Sequence, residues 1–569
     1  MLIFLIVVQS WQTYLDSSLS YIGLTRNDIA FRDDYLPHSA YRFAITDELL
    51  NNPLHALDFV LSIDEIIWEP SEQEMYSRLV RLYDLETENR KLNFIRKLRH
   101  SHQLVSEAFS MAPAELGQVF EDLTLFSPDL TASIDEYKQS LNDYDSLTVW
   151  LKANATDVEY AKLFSAGAQL LSAALSHADW LAGIDKETLT IEGVVGNVVY
   201  YEKCDFGEIV VGDTGANIYT KDFAVLIELG GDDEYRCDNE GGIHVWVDKA
   251  GNDAYKGGNY SIACGRFGVS ILIDEAGDDT YSADAFSLGC GVFGIGVLID
   301  RCGDDEYRGN TFTQGAAGFG IGILKDEEGN DLFGAALYAQ GFGSTYGIGV
   351  LGDKQGNDLY FILAKYIDEG RYLDHHLSMS QGFAIGFRPD LPGGIGIISE
   401  RAGNDYYTAD IYAQGTAYWY GIGAIIETAG NDNYVAYQYA QASGVHVAFG
   451  LIVDKQGSDN YVAKGVSQGC GHDLALGLLY DMTGDDSYVA YDLSQGAGNA
   501  NGIGILADES GDDTYSVKRS HNTQGYGNFR REYGSIGVLL DITGEDVYRT
   551  GADNTLWTSG EHGIGVDWE

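Results

Sequence analysis

From about residue 190 the chain repeats one pattern of apolar and polar positions. A Gly-Ile-Gly-x-Leu segment, as at 294–298 or 502–506, leads into an acid, and three residues later comes Gly-x-Asp-x-aromatic. Copies of that second element begin at Gly251, Gly277, Gly303, Gly329, Gly356, Gly403, Gly430, Gly457, Gly484, Gly511 and Gly544, at intervals of 26, 26, 26, 27, 47, 27, 27, 27, 27 and 33. Irregular copies start at Gly215 and Gly231, and Gln stands seven residues after most turn aromatics (Gln314, Gln340, Gln414, Gln441, Gln468, Gln495). Two β-type segments per unit, closed by Gly/Asp/Asn turns, predict one coil of a parallel β-solenoid. So many interior glycines exclude a helix, and 26 residues are too few for a four-stranded propeller blade. About twelve coils stacked at strand spacing give a rod of roughly 60 Å. In it the turn Tyr form an aromatic stack, the Gln an amide ladder and the acids a ridge. Ile295, Val297 and Leu298 do not alternate cleanly, so their faces stay undecided.

Before the repeat the pattern is helical. Ser71-x-x-Glu74 and Thr156-x-x-Glu159 read as capping boxes opening amphipathic runs, and Ser127-Pro128 as an N-cap with Pro at the first helical position. Glycine marks the change, with 4 in residues 1–185 and 66 in the rest. The expected fold is an α-helical domain, 1–185, followed by an all-β parallel β-solenoid, 191–569, of about 12 coils of 26–27 residues. Residues 1–10 fit a truncated secretory signal, a misassigned start or a buried strand. Residues 88–102 hold Arg90, Lys91, Arg96, Lys97 and Arg99. They read first as a solvated helix face, with docking onto an acidic surface as the alternative.

Charge narrows the function. A net charge of −51 disfavours nucleic acid and anionic membrane surfaces, and no apolar run is long enough to span a bilayer. Six Cys without Cys-x-x-Cys spacing support neither zinc nor a redox motif. Cys264, Cys290 and Cys470 share one repeat slot, and a disulfide between stacked Cys264 and Cys290 is weighed against buried free thiols. Gly465–Gly469 matches a nucleophile elbow and Gly289–Gly294 a dinucleotide fingerprint. Both read as accidents of the repeat, so no organic cofactor is expected.

The twelve turns from Gly231 to Gly544 place 30 of the 86 acids in register. Like charges one strand spacing apart repel by about 0.9 kcal/mol even in water, so either Asx-turn hydrogen bonds or hard cations must offset them. The ligand candidates are Asp274, Asp279, Asp300, Asp305, Asp326, Asp331, Asp353, Asp358, Asp405, Asp432, Asp454, Asp459, Asp481, Asp486, Asp508, Asp513, Asp541 and Asp546. Gly-x-Asp-x-aromatic resembles the second half of the repeat-in-toxin nonapeptide, Gly-Gly-x-Gly-x-Asp-x-apolar-x, whose β-roll binds calcium. The resemblance implies ligand roles for Asp279, Asp305, Asp331, Asp358, Asp405 and their later equivalents, and Ca²⁺ as cofactor. It covers about five residues per coil, and the period is 26–27 rather than 9.

The repeat breaks between Gly356 and Gly403, where two inserts enlarge one coil. The first carries Asp374, His375 and His376, the only catalytic candidates, and the second Arg388, Pro389 and Asp390. Surface decoration, with the two loops splayed apart and both imidazoles in solvent, is the expectation. The basic stretches 518–521 and 530–531 are expected to cap the open end of the solenoid. The function expected is a non-catalytic exported or cell-envelope scaffold with an acidic ridge for calcium and a protein or polysaccharide partner. A cytoplasmic location stays open. The alternative is a polysaccharide lyase or hydrolase with its site at 361–393.

Overall fold

The computed structural model describes residues 2–32, 35–126, 133–236, 240–549 and 551–568, without the side chains of residues 2–10 and 240. Nine α-helices precede the strands among these residues: α1 (Leu2–Tyr21), α2 (Ala44–Asn51), α3 (His55–Ile67), α4 (Glu72–Arg81), α5 (Phe94–Ala108), α6 (Leu116–Thr124), α7 (Ile134–Asn154), α8 (Tyr160–Leu175) and α9 (His177–Leu181). A parallel β-solenoid of about 12 turns follows. The backbone of residues 2–10 is helical, so the buried-strand reading fails there. Ser71 caps α4 by accepting the Glu74 N–H. The Thr156 box does not form: 155–157 is a 3₁₀ turn and α8 starts after Glu159 without a side-chain cap. A complete box forms instead at Ser133/Glu136, at the start of α7, while Ser127-Pro128 lies outside the described residues.

Most coils alternate a three- or four-residue strand carrying the turn aromatic with a strand of five or six residues, such as Ile295–Ile299 or Ile503–Asp508, and the longest reaches ten, Gly265–Asp274. The short strands join in one 14-stranded ladder, parallel after its first pair. The long strands pair in strict register, Ile295 with Ile321 and Leu298 with Leu324. Their side chains do alternate, and both faces are buried. Ile295, Val297 and Ile299 point into the core shared with the helices, and Leu298 into the core of stacked tyrosines. Gly296 is required because a Cβ there would stand 2.1 Å from the Cys290 carbonyl oxygen.

The helices clad these long strands. α8 packs on 240–248 and 265–274, α3 on Ile422–Glu427 and Phe449–Asp454, and α1 on Ile536–Asp541 and Gly563–Asp567. The cladding therefore runs opposite to the order of the coils. Its interface is largely apolar, with ion pairs such as Arg266 to Glu121 of α6 and a buried cluster where Asp64 of α3 accepts from Ser399 Oγ and Lys455 Nζ, both at 2.7 Å. The basic stretch contributes little to this docking. Arg99 pairs with exposed Asp205 at 3.0 Å, and Lys97 is spent inside the helical layer on Ser172 and Ser176.

The ends are closed by antiparallel strands, Val194–Val195 on Ile218–Tyr219 and Leu556–Thr558 on Gly563–Asp567. The basic loops do not cap the end as expected. Arg519 and Arg531 turn back to Asp492 and Asp473 of earlier coils.

Candidate metal centre and interrupted coil

The turn aromatics form one continuous column inside the solenoid. From Tyr235 to Tyr548 adjacent rings lie 4.4–5.1 Å apart and within 7° of parallel. The Gln do not form an amide ladder throughout. Each adopts a left-handed conformation, as at Gln314 (φ 55°), from which Nε2 bridges two carbonyls, those of Tyr307 and Gly334, both at 2.9 Å.

The ligand candidates are not a surface ridge; only the acids directly after the turn Gly, such as Asp278 and Asp304, stay exposed. All eighteen ligand candidates are buried, at 0–6% exposure. The turn Asp do not form Asx-turns. Each takes the N–H of the turn Asp one coil earlier, Asp279 N–H to Asp305 Oδ1 and Asp305 N–H to Asp331 Oδ1, both at 2.6 Å. In a few coils the acid three residues before the Gly makes the local turn, as Asp274 Oδ1 does with the Ala276 N–H at 3.1 Å, whereas at Asp300, Asp326, Asp454, Asp481 and Asp541 that oxygen has no partner. The acid's second oxygen takes a tyrosine hydroxyl from the preceding coil, Tyr281 to Asp300 and Tyr307 to Asp326, both at 2.6 Å.

The two acids of a coil and the turn Asp before them bring carboxylate oxygens within 4.8 Å of one another, from Asp233–Asp248–Asp253 through Asp331–Asp353–Asp358 and beyond. The Oδ2 of the turn Asp has no hydrogen-bond partner from Asp233 through Asp546. Burial first, and neighbouring acids second, push these carboxyls up, Asp279 to about 9. At Asp358 burial outweighs the backbone N–H it accepts and lifts it to about 6.

One node is poorer in donors than the rest. Phe333 replaces tyrosine, so Asp353 receives no hydroxyl, and neither of its oxygens has a partner. Glu400 follows in the next coil, with both oxygens unpartnered and the Tyr360 hydroxyl left without an acceptor. Asp353 and Glu400 are fully buried. The tyrosine hydroxyls that serve the equivalent acids of other coils are not among the candidates that the repeat pattern offers. Their signal is a Tyr 19 or 20 residues ahead of the next coil's acid, as at Tyr281–Asp300 and Tyr461–Asp481.

Asp374, His375 and His376 are not splayed into solvent together. The first insert folds over the following coils, leaving Asp374 exposed and the imidazoles about three-quarters covered. His375 Nδ1 lies 2.9 Å from Asp410 Oδ1 and its ring stacks 3.4 Å from Tyr437, while the His376 N–H donates to Asp410 Oδ2 at 2.6 Å. Asp410 belongs to the next coil, outside both inserts. In the second insert, Asp390 pairs with Lys152 of α7 at 2.8 Å. Pro389, Asp390 and Pro392 also border a cavity of about 580 Å³ shared with residues 36–42.

Cys264, Cys290 and Cys470 are buried free thiols, so the disulfide does not form. Ser467 is buried within a short strand, in no elbow.

Fold and site define a helix-clad parallel β-solenoid with an acid-lined interior. Compared with protein-family models, curated proteins and solved structures, the chain matches none. No helix among the described residues is long and apolar enough to cross a membrane.

Proposed function

We propose that the protein is a non-catalytic scaffold whose coils are held together by divalent cations within the acid column, with Ca²⁺ the ion best suited to it. The observation carrying this reading is the Asp353–Glu400 node, where four buried carboxylate oxygens make no well-formed hydrogen bond and Glu400 has only the Ala402 N–H and the Glu427 carboxyl beside it. An unpaired buried charge is costly, and all-oxygen ligands suit a hard cation. The acid pairs lie sealed from solvent, which favours cohesion over turnover: a glycosidase needs its carboxylates open to substrate. Extracellular calcium modules bind at about 10⁻⁴–10⁻³ M, so a column of modest sites would fill in an exported or cell-envelope setting.

The test is thermal unfolding of the full chain with chelator and then with CaCl₂, alongside elemental analysis of bound metal. Lower melting in chelator, restored by calcium, is expected, with about 2.7 kcal/mol gained at a hundredfold excess over the dissociation constant. An unchanged melt and no bound metal would leave protonated carboxyl pairs as what holds the column.

A further inference from the structure

Residues 186–569 carry 58 acidic against 22 basic side chains, so a half-covered cation bonded only to neutral groups stands out. Lys464 Nζ donates to the Tyr372 hydroxyl at 2.9 Å and to Gln438 Oε1 at 3.1 Å. It sits 5.1 and 5.2 Å from the Tyr372 and Tyr437 ring centres. Arg371 of the first insert reaches the Tyr412 hydroxyl at 2.8 Å and covers the Tyr412 and Tyr439 rings, with Asp368 as its ion pair. Exposed Arg388 of the second insert donates to the Tyr418 hydroxyl at 2.9 Å and lies 4.6 Å over Trp419.

These rings make a discontinuous row in two groups: Tyr412, itself buried, stacks on Tyr439 at 4.8 Å and meets Tyr418 edge-on at 6.1 Å, while Tyr372 meets Tyr437, two residues before Tyr439 in the chain, at 5.3 Å. The two inserts and the coil of Lys464 thus lay three cations along this row on a solenoid with an acidic surplus.

We propose that this row binds an acidic polysaccharide, a linear glycan with carboxylates on some of its sugars. Aromatic rings offer flat apolar area with polar rims, and tyrosine hydroxyls and the Gln438 amide supply the mixed donors and acceptors that sugar hydroxyls need. Arg371 and Arg388 suit carboxylates through their planar forks, and Lys464 as a point charge. A nucleic acid is disfavoured, because its dense phosphates would approach a chain of net charge −51 with only three cations to meet them. An acidic peptide would seek main-chain partners, and the coils here are already paired through their strands. The reading is independent of the cation column.

The test is calorimetric titration of the full chain with tetragalacturonate, its methyl ester, a polyglutamate peptide and oligo-dT at one salt concentration. Tetragalacturonate should bind, and the neutral ester about tenfold or more weaker. Lys464→Ala and Arg388→Ala should each weaken binding about tenfold, with Lys464→Arg retaining most of it. Arg388 is exposed, so its variant keeps the test usable if Lys464→Ala misfolds. Failure of tetragalacturonate to bind, equal binding of the ester, tighter binding of polyglutamate or oligo-dT, or full binding by a folded Arg388→Ala variant would each overturn the proposal.

Discussion

A single missing oxygen distinguishes Phe333 from the other rings of its column, and it leaves Asp353 without a donor. Phe333→Tyr should restore the hydrogen bond that Tyr307 makes to Asp326 one coil earlier. A gain of about 1 kcal/mol in denaturant unfolding with chelator present is expected. No gain would mean that the Asp353 carboxyl is satisfied by other means. Elsewhere in the column the ring itself dominates. Tyr434 is fully buried between Tyr407 and Tyr461, at 5.1 and 4.7 Å, and its hydroxyl reaches Asp454 at 3.0 Å. Tyr434→Ala should cost about 3–5 kcal/mol as a large core truncation, read from the denaturation midpoint at constant slope.

The coil was readable because parallel stacking demands the same residue at the same place, and the intervals of 26 and 27 record that demand. The direction of the acids was not, because Gly-x-Asp is also how an exposed turn is written. Only the tyrosine hydroxyl one coil away makes that Asp an interior residue. The clean alternation of Ile295, Val297 and Ile299 against Gly296 and Leu298 was obscured because both faces are apolar, one of them for the helices. Asp410 could not be paired with His375 from sequence, since 35 residues and a change of coil separate them. The helical layer is tied on at Asp64. Asp64→Ala would leave Lys455 buried without its carboxylate and should cost about 3–5 kcal/mol. Adding Lys455→Met should recover part of that loss, and a double mutant no more stable than Asp64→Ala would refute the ion-pair account.

The whole molecule should respond to pH in a direction set by its interior. A carboxyl raised on folding keeps its proton where the unfolded chain, titrating near 4, has lost it, so the folded form binds more protons and stability falls as pH rises. With chelator, melting temperature should therefore decline from about pH 4 through the raised values, about 6 for Asp358, about 9 for Asp279 and Asp405 and about 11 for Asp305, without a plateau between them. Calcium should offset the decline at the alkaline end and lose its effect near pH 5, where protons compete for the same oxygens. A chelated protein that melts higher at pH 8 than at pH 5 would contradict the buried, protonated column. The cladding adds a different constraint, one of time. The strands that receive α1, 536–541 and 563–567, follow it by some five hundred residues. At about 5–20 residues per second, α1 waits roughly half a minute or more on the ribosome for its partner to be made. Through that interval the apolar side of α1, with Trp11, Leu15 and Leu19, is uncovered and adhesive, so in a cell the nascent chain calls for a chaperone.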